Sequence, residues 1–562
     1  MGRQPVGMGT DSRSGESLLP AASVWPHDIL SDAPELQRGD DCKTLRPEHG
    51  ATLSADEKDE STYGQILRST ALIGGSSIVN ILFSVLRTKA MAVLLGPAGF
   101  GLMGAFTTIA DLMRSVAEMG INNSGVRQIA EAAGSSDMKR IARTVIVVRR
   151  TAIILGILGA LLLAVLSRQI ATLTFGDEEH AGAVALLSLA VFFRLVSDGQ
   201  GALLQGMRRI GDIAKLTVLG SLLGTLITIP LVYWLRERGV ALSLVAVAAT
   251  SLLLSWWYSR KVTIVRPSLT AAQFIQEAAS LLRLGLAFMV SGLLIMGSAY
   301  VVRMILIRHG GLNEAGYYQA AWALGGLYLG IVLQSLASDF YPRLTACADD
   351  NLECNRLVNE QTQVSLLLAG PGVVGTLTFA QLVISLFYTS EFSGSVDVLR
   401  WICIGMAIRV ISWPMGFIVL AKNAQKYYFW SEIFWTIVHI GLAWSLVASV
   451  GLAGAGMAFF VSYVFHVILV FFIVRRLSGF FWTPKTIKFG AFFIISIALV
   501  FFGFQLLSHF WALTFGIVAT LLSSIYSIRT LLDAFDYQNI PKPLRRLLAF
   551  FKLSRATTSM SK

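Results

Sequence analysis

The sequence predicts an all-α polytopic membrane protein, built as two six-helix lobes followed by a two-helix hairpin. Three observations predict it. Hydrophobic residues make up 54% of the chain and charged residues 14%, where soluble proteins carry roughly 25% charged residues. The apolar residues come in runs of about 20, the length that carries a helix across a hydrocarbon core, and mean hydropathy is +0.64. The chain also matches itself some 215 residues on, the signature of an internal repeat. Helix is required, because lipid offers no partner to an open backbone.

Residues 1–62 are polar, rich in Gly, Ser, Asp, Glu and Pro, and predict a disordered tail. They lack the apolar stretch of a signal peptide. Fourteen spans follow, at 65–95, 100–130, 144–167, 182–207, 213–235, 240–259, 282–307, 315–343, 359–388, 397–421, 427–449, 452–474, 487–508 and 511–529. They divide into an N-lobe (63–262, spans 1–6), a linker (263–281), a C-lobe (282–476, spans 7–12), the extra hairpin (487–530) and a basic tail (531–562).

Basic residues concentrate in alternate loops, as in Lys139, Arg140 and Arg143, in Arg208, Arg209 and Lys215, and in Arg475, Arg476, Lys485 and Lys488. Those loops read as cytoplasmic, and both termini with them. The same distribution accounts for much of the net charge of +12 without nucleic acid as a partner. The four cysteines form no framework, and Cys347 and Cys354 do not have a zinc spacing.

The repeat is carried by pairs of residues. Arg68 matches Arg283, Arg87 matches Arg303, and Ala98-Gly99-Phe100 matches Ala315-Gly316-Tyr317. Arg127 matches Arg343, Arg194 matches Arg409, and Gly239 matches Gly454. The offset stays between 215 and 217. Six spans is an even number, so both lobes keep the same orientation, and a binding site belongs between them.

Ionisable residues inside spans cost at least ~2.5–3.5 kcal/mol each at mid-bilayer, and this chain has many. Arg87 and Lys89 lie in span 1, Asp111, Arg114 and Glu118 in span 2, Arg194 and Asp198 in span 4. Arg303 lies in span 7, Asp339 and Arg343 in span 8, Arg400 and Arg409 in span 10, with Glu432, His439 and His466 beyond. Arg114–Glu118, Arg194–Asp198 and Asp339–Arg343 have the i,i+4 spacing of pairs on one helix face. Arg87, Lys89, Arg303 and Arg409 have no acid at i±3 or i±4. Those four and Arg194 are the candidate cavity cations, and the expected ligand is an anion, phosphate above all. For Arg87, Lys89 and Arg303 the alternative is snorkelling to the interface. Glycine pairs such as Gly74-Gly75 and Gly325-Gly326 read as helix contacts. The sequence shows no P-loop, no HExxH and no other catalytic constellation, so neither a cofactor nor a metal is expected.

Four stretches carry a family resemblance. Leu94-Leu95-Gly96-Pro97-Ala98-Gly99-Phe100-Gly101-Leu102 resembles the first outer turn of Wzx-type O-antigen and enterobacterial-common-antigen lipid flippases. Gly120-Ile121-Asn122-Asn123-Ser124-Gly125-Val126 resembles the end of their second span, Tyr341-Pro342-Arg343-Leu344-Thr345 of their eighth, and Leu420-Ala421-Lys422-Asn423-Ala424 of their tenth. The similarity covers about residues 63–476, within the multidrug/oligosaccharidyl-lipid/polysaccharide exporter superfamily. It implies a MATE-like transporter fold in a bacterial inner membrane. It implies alternating access around a cationic cavity and an undecaprenyl-pyrophosphate-linked oligosaccharide as substrate. Other membrane proteins of polysaccharide assembly would be its neighbours. The long N-terminal tail and final hairpin depart from the twelve-span pattern. A lipid II flippase and a cation-coupled drug exporter are the alternatives within transport; a polysaccharide polymerase or ligase is the alternative among enzymes.

Overall fold

Apolar runs in lipid fold as helices, and among the described residues no strand occurs. The computed structural model describes residues 55–134, 138–262 and 269–534. For 55–73, 138, 287–288, 291, 331, 334–335, 337–339 and 534 it describes the backbone alone. Of the expected tails and linker, residues 1–54, 263–268 and 535–562 lie outside the described residues.

In chain order the helices are α1 (Ala55–Glu118), α2 (Ile121–Gly134), α3 (Met138–Val165), α4 (Ser167–Phe175), α5 (Ala181–Gly206), α6 (Ile210–Leu235) and α7 (Arg238–Ser259). Then come α8 (Ala271–Ala346), α9 (Asn351–Thr378), α10 (Ala380–Phe387), a 3-10 turn (Ser390–Gly394), α11 (Ser395–Ala421), α12 (Gln425–Val450), α13 (Leu452–Ser478), α14 (Pro484–Leu506) and α15 (His509–Ala534). Eleven segments are long and apolar enough to cross a membrane, and the sharply bent pair α9–α10 makes twelve.

α1 and α8 each supply two crossings. A straight helix of 64 residues would reach about 96 Å, three times a hydrocarbon core of about 30 Å. Each is broken by one glycine, Gly96 (φ 65, ψ −172) and Gly311 (φ 76, ψ −174). Positive φ is a conformation that glycine adopts without steric cost. At Gly311 the chain folds back, because Arg303 donates from Nε to Gln319 on the returning arm at 3.0 Å. The second arm of α1 runs antiparallel to the first arm of α8, with Ser115 against Gly292 and Gly120 against Gly285, and Gly101 meets Leu312 and Gly316 just past the turn. Counted by the two arms of α1 and of α8, the described residues offer up to fourteen segments able to cross a membrane, against eleven to twelve when each long helix counts once.

The turns sit two residues before Ala98 and four before Ala315, and the local geometry repeats with a constant offset. Gly96 and Gly311, Arg208 and Asn423, and Arg236 and Gly451 are positive-φ pairs, each 215 residues apart. The hydrogen bond Arg209 N to Leu204 O recurs as Ala424 N to Val419 O, both at 2.9 Å. A Cβ on Gly239 would strike the Leu231 carbonyl, and one on Gly454 the Leu446 carbonyl. The α3–α4 break recurs as α9–α10.

Three boundaries differ from expectation. The backbone is helical from Ala55, so the polar segment up to residue 62 extends α1. α8 begins at Ala271, eleven residues before the expected span, because Thr270 and Gln273 form a reciprocal capping box. Span 2 is interrupted at Met119 (φ 47) and Gly120 (φ 66). A Cβ at Gly120 would come within 2.1 Å of the Gly285 carbonyl oxygen, so the two helices touch there backbone to backbone.

Packing separates the core. Phe106, Ile109, Val148, Leu187 and Leu195 bury one cluster among α1, α3 and α5. A larger cluster joins α8, α9, α11, α13 and α14 through Val302, Val373, Ile402, Phe459 and Phe493. The hairpin rests on α9, where Phe493 lies against Gly370 and Gly516 against Thr378. Large exposed apolar side chains such as Leu158, Leu161, Trp234 and Phe502 cover the outside, as a lipid-facing surface requires.

Candidate functional site

The site is built where charged faces of α1, α5, α8 and α11 turn inward. Arg87 lies nine residues before Gly96, and Arg303 eight before Gly311, which is about 12–14 Å below the glycine turns. Arg194 lies 13 residues into α5 and Arg409 14 residues into α11, about 20 Å along each helix. Helix rise thus puts all four about 12–20 Å from the ends of their helices on the glycine-turn face.

The i,i+4 expectation holds for one pair and fails for another. Arg114 donates to Glu118 at 3.2 Å and also to Asp198 on α5 at 2.9 Å. Arg194 does not pair with Asp198; it donates to Asp111 on α1 at 3.2 Å. The spacing puts Arg194 and Asp198 on one face, but that face meets the α1 face carrying Asp111 and Arg114. Exchanging partners joins two helices instead of bracing one. Asp339 has no described side chain, so its pairing with Arg343 lies outside the described residues. Arg343 is exposed at the last turn of α8.

The five candidate cations meet different fates. Arg303 is buried and its guanidinium is satisfied by the Gln319 side chain and the Ala299 carbonyl, with Tyr318 beneath it. It holds the two arms of α8 together. Lys89 leaves the cluster and donates to the Leu386 carbonyl at the end of α10. A lysine on a helix C-terminal carbonyl meets favourable partial charge. Arg194 keeps 41% of its side chain accessible while bound to Asp111.

Arg87 and Arg409 have no carboxylate partner within ion-pair distance among the described residues. Arg87 lies over Gly224 of α6, within electrostatic reach of Arg194. Arg409 lies 5.8 Å from the centre of the Tyr463 ring, within electrostatic reach of Glu432. Glu432 also stands 4.0 Å from His466. His439 is a packed residue, stacked on Trp435 and bonded to Ser462 at 3.2 Å.

Charged groups in such numbers cannot all face lipid, and most of them face one another across α1 and α5. Five guanidiniums (Arg87, Arg114, Arg194, Arg303, Arg409) meet four carboxylates (Asp111, Glu118, Asp198, Glu432). The cationic surplus is smaller than the sequence suggested; Arg87, Arg303 and Arg409 are left without an ion-paired carboxylate among the described residues, and of these Arg303 is enclosed by neutral partners. Gln319 and Tyr463 are partners that sequence reasoning missed. Neither carries a sequence signal, because each needs a fold-back or a helix contact to become a neighbour.

At the face of the glycine turns the space is closed. Phe100 is buried edge to face against Tyr388 and Phe392, with centroids 5.4 and 5.7 Å away, and those two rings lie 5.1 Å apart. A Cβ on Gly101 would lie 2.1 Å from the Leu312 carbonyl oxygen. One on Gly316 would lie 1.9 Å from that of Pro97. This seal is made between α1 on one side and α8, α10 and the 3-10 turn on the other.

A family model described as "Polysaccharide biosynthesis protein" matches residues 90–397. The chain is 22% identical over 433 residues to a protein named lipid III flippase from Escherichia coli (strain K12), covering 73% of this chain and 99% of that protein. A lipid III flippase from Shigella flexneri matches to the same extent. Among solved structures, lipid II flippase MurJ in an inward closed conformation superposes with TM-score 0.64 at 14% identity, over 83% of this chain and all of that one. An inward-facing MATE family multidrug resistance transporter superposes with TM-score 0.61 at 17% identity, over 71% of this chain and 95% of that one. At these identities the structures establish a MATE-like fold.

Proposed function

The chain belongs to the polysaccharide biosynthesis protein family, and from that premise we propose that it is a flippase. It carries the head of a lipid-linked oligosaccharide across the bacterial inner membrane. The substrate we infer is an undecaprenyl-pyrophosphate-linked repeat unit of O-antigen or a related surface polysaccharide. The observation that carries this reading is the pair Arg87 and Arg409. Each is an intramembrane guanidinium without a carboxylate partner, and they come from the two halves of the repeat. Such groups are tolerated where an anion is to be received, and guanidinium suits pyrophosphate.

The geometry supports a sequence of events. The glycine-turn face, read as external from the Lys/Arg distribution, is sealed. The pyrophosphate and first sugars enter from the cytoplasmic side and replace water around Arg87, Arg194 and Arg409. The polyprenyl tail stays in lipid, outside the bundle. The halves then rock, the seal at Phe100, Tyr388 and Phe392 parts, and the headgroup leaves outward. Spans 1–6 and 7–12 act as the two moving bodies.

Complementation tests the reading. The chain is expressed in one strain lacking its O-antigen flippase and in another lacking its lipid III flippase. Surface polymer and accumulated lipid-linked units are assayed in both. Restored polymer in either strain supports flipping and names the glycan class. Arg409→Ala and Arg87→Ala should each abolish restoration at unchanged membrane abundance. Full restoration by both variants would overturn the role given to these arginines.

A further inference from the structure

A polar cavity lies apart from the central arginines, with its own arginine nine residues before Arg409 on α11. It occupies about 260 Å³ at the glycine-turn face, where the hairpin meets the C-terminal repeat, and Gln381, Ser393, Asp397, Arg400, Phe504 and His509 line it. α10 supplies Gln381, the 3-10 turn Ser393, α11 the charged pair, the end of α14 Phe504 and the start of α15 His509.

Arg400 is 9% exposed, and its Nε has no partner. Asp397 takes only Nη1, at 3.2 Å, and is itself largely exposed. Phe504 covers one face of the guanidinium, with its ring centre 4.2 Å from Cζ. Nε itself has no accessible surface, so a ligand meets the guanidinium in its plane at the edge that Nε shares with Nη2, and reaching Nε requires the cavity wall to give. That edge is suited to two oxygens of one phosphate. A buried donor left unpaired is costly, a cost that a bound anion removes. Gln381, Ser393 and His509 add side chains able to donate from the other walls. The rim is apolar and open: Leu506, Phe510 and Trp511 are 81%, 70% and 63% exposed. Aromatic residues in that setting mark the membrane interface. The volume holds a headgroup and excludes a whole lipid.

We propose that this cavity binds a lipid-borne phosphate, held by Arg400 with its chains along Leu506, Phe510 and Trp511, tying the hairpin to α10 and α11. Two lipids carry that chemistry, an anionic phospholipid of the membrane and a polyprenyl pyrophosphate. The site is distinct from the central arginines and stands whether or not the chain is a flippase.

The test uses the full chain in nanodiscs of phosphatidylcholine doped with phosphatidylglycerol. Lipid retained after detergent extraction is counted by native mass spectrometry. The wild type should retain phosphatidylglycerol over phosphatidylcholine by about tenfold or more, the worth of one charge-assisted hydrogen bond. Arg400→Gln should lose that preference. His509→Glu, at the exposed start of α15, should lose it too by placing a carboxylate in the cavity with little risk to folding. Arg168→Gln, an exposed arginine elsewhere on this face, should keep it. Added farnesyl pyrophosphate separates the sources: displacement of phosphatidylglycerol identifies pyrophosphate lipids as the preferred ligand, and resistance identifies the phospholipid. An absent preference in the wild type, or one that survives in His509→Glu, overturns the proposal.

Discussion

At the scale of single residues, Arg303 and Arg409 show how alike two intramembrane arginines look in a sequence and how differently they sit. Both lack an acid at helical spacing. Arg303 is enclosed by Gln319, Ala299 and Tyr318, whereas Arg409 has an aromatic ring and a distant carboxylate. Gln319→Leu should therefore strand a buried guanidinium, at a cost of about 1–3 kcal/mol, and lower the melting temperature of the detergent-purified protein. Gln319→Glu should restore an acceptor and recover stability. An unchanged melting temperature in Gln319→Leu would show that Arg303 finds another partner. Arg409→Gln should leave melting nearly unaltered while removing transport, the reverse pattern. The ionisable residue types were legible from the sequence, but their partners were not. Helical spacing ranks candidates on one helix only, so Arg194 was matched to Asp198 when Asp111 on α1 was closer.

At the scale of elements, the spans were legible because each needs an apolar run and a turn, and both leave marks in the sequence. Gly96 and Gly311 are such marks. The early start of α8 was legible in principle, as Thr270-Ala271-Ala272-Gln273 is a capping-box pattern, but its polar first turns hid it from a reading based on apolar length. The clamp between α9 and the hairpin was not legible. Asn359 donates to the Phe481 carbonyl at 3.0 Å and accepts from Thr483 N and Thr486 Oγ1 at 2.9 Å, and Gln363 donates to Thr486 at 2.8 Å. These contacts join residues more than a hundred positions apart. Asn359→Leu leaves the Thr483 N–H and Thr486 hydroxyl without their acceptor, while the flanking helices stay apolar. It should cost about 1–3 kcal/mol and release the hairpin first. Faster protease cleavage within 479–484, with α1–α13 intact on a gel, is the expected result. Equal cleavage rates in variant and wild type would mean that Phe493 and Gly516 hold the hairpin alone.

At the scale of the whole molecule, the repeat and the seal make one mechanical statement. Two halves of matched local geometry meet along α1 and α8, backbone to backbone at Gly120 and Gly285 at one end and at Gly101, Leu312, Gly316 and Pro97 on the glycine-turn face. Contact that close exists only without side chains. A Cβ at position 101 would lie 2.1 Å from the Leu312 carbonyl oxygen, and backbone atoms cannot rotate away as a side-chain tip would. Gly101→Ala should therefore part the halves on this face and favour the arrangement in which it is open. Spin labels at Glu178 and Asp397, two exposed positions on this face in different halves, read the separation in a background without native cysteines. Gly101→Ala should lengthen the mean distance relative to the parent. Gly182→Ala, where a Cβ meets nothing within 4 Å, should leave it unchanged. Transport by Gly101→Ala should fall with protein abundance preserved, because a carrier held open on one face completes no cycle. If the distance stays fixed while the protein remains folded, the strain is absorbed within α8, and the halves do not pivot at this contact.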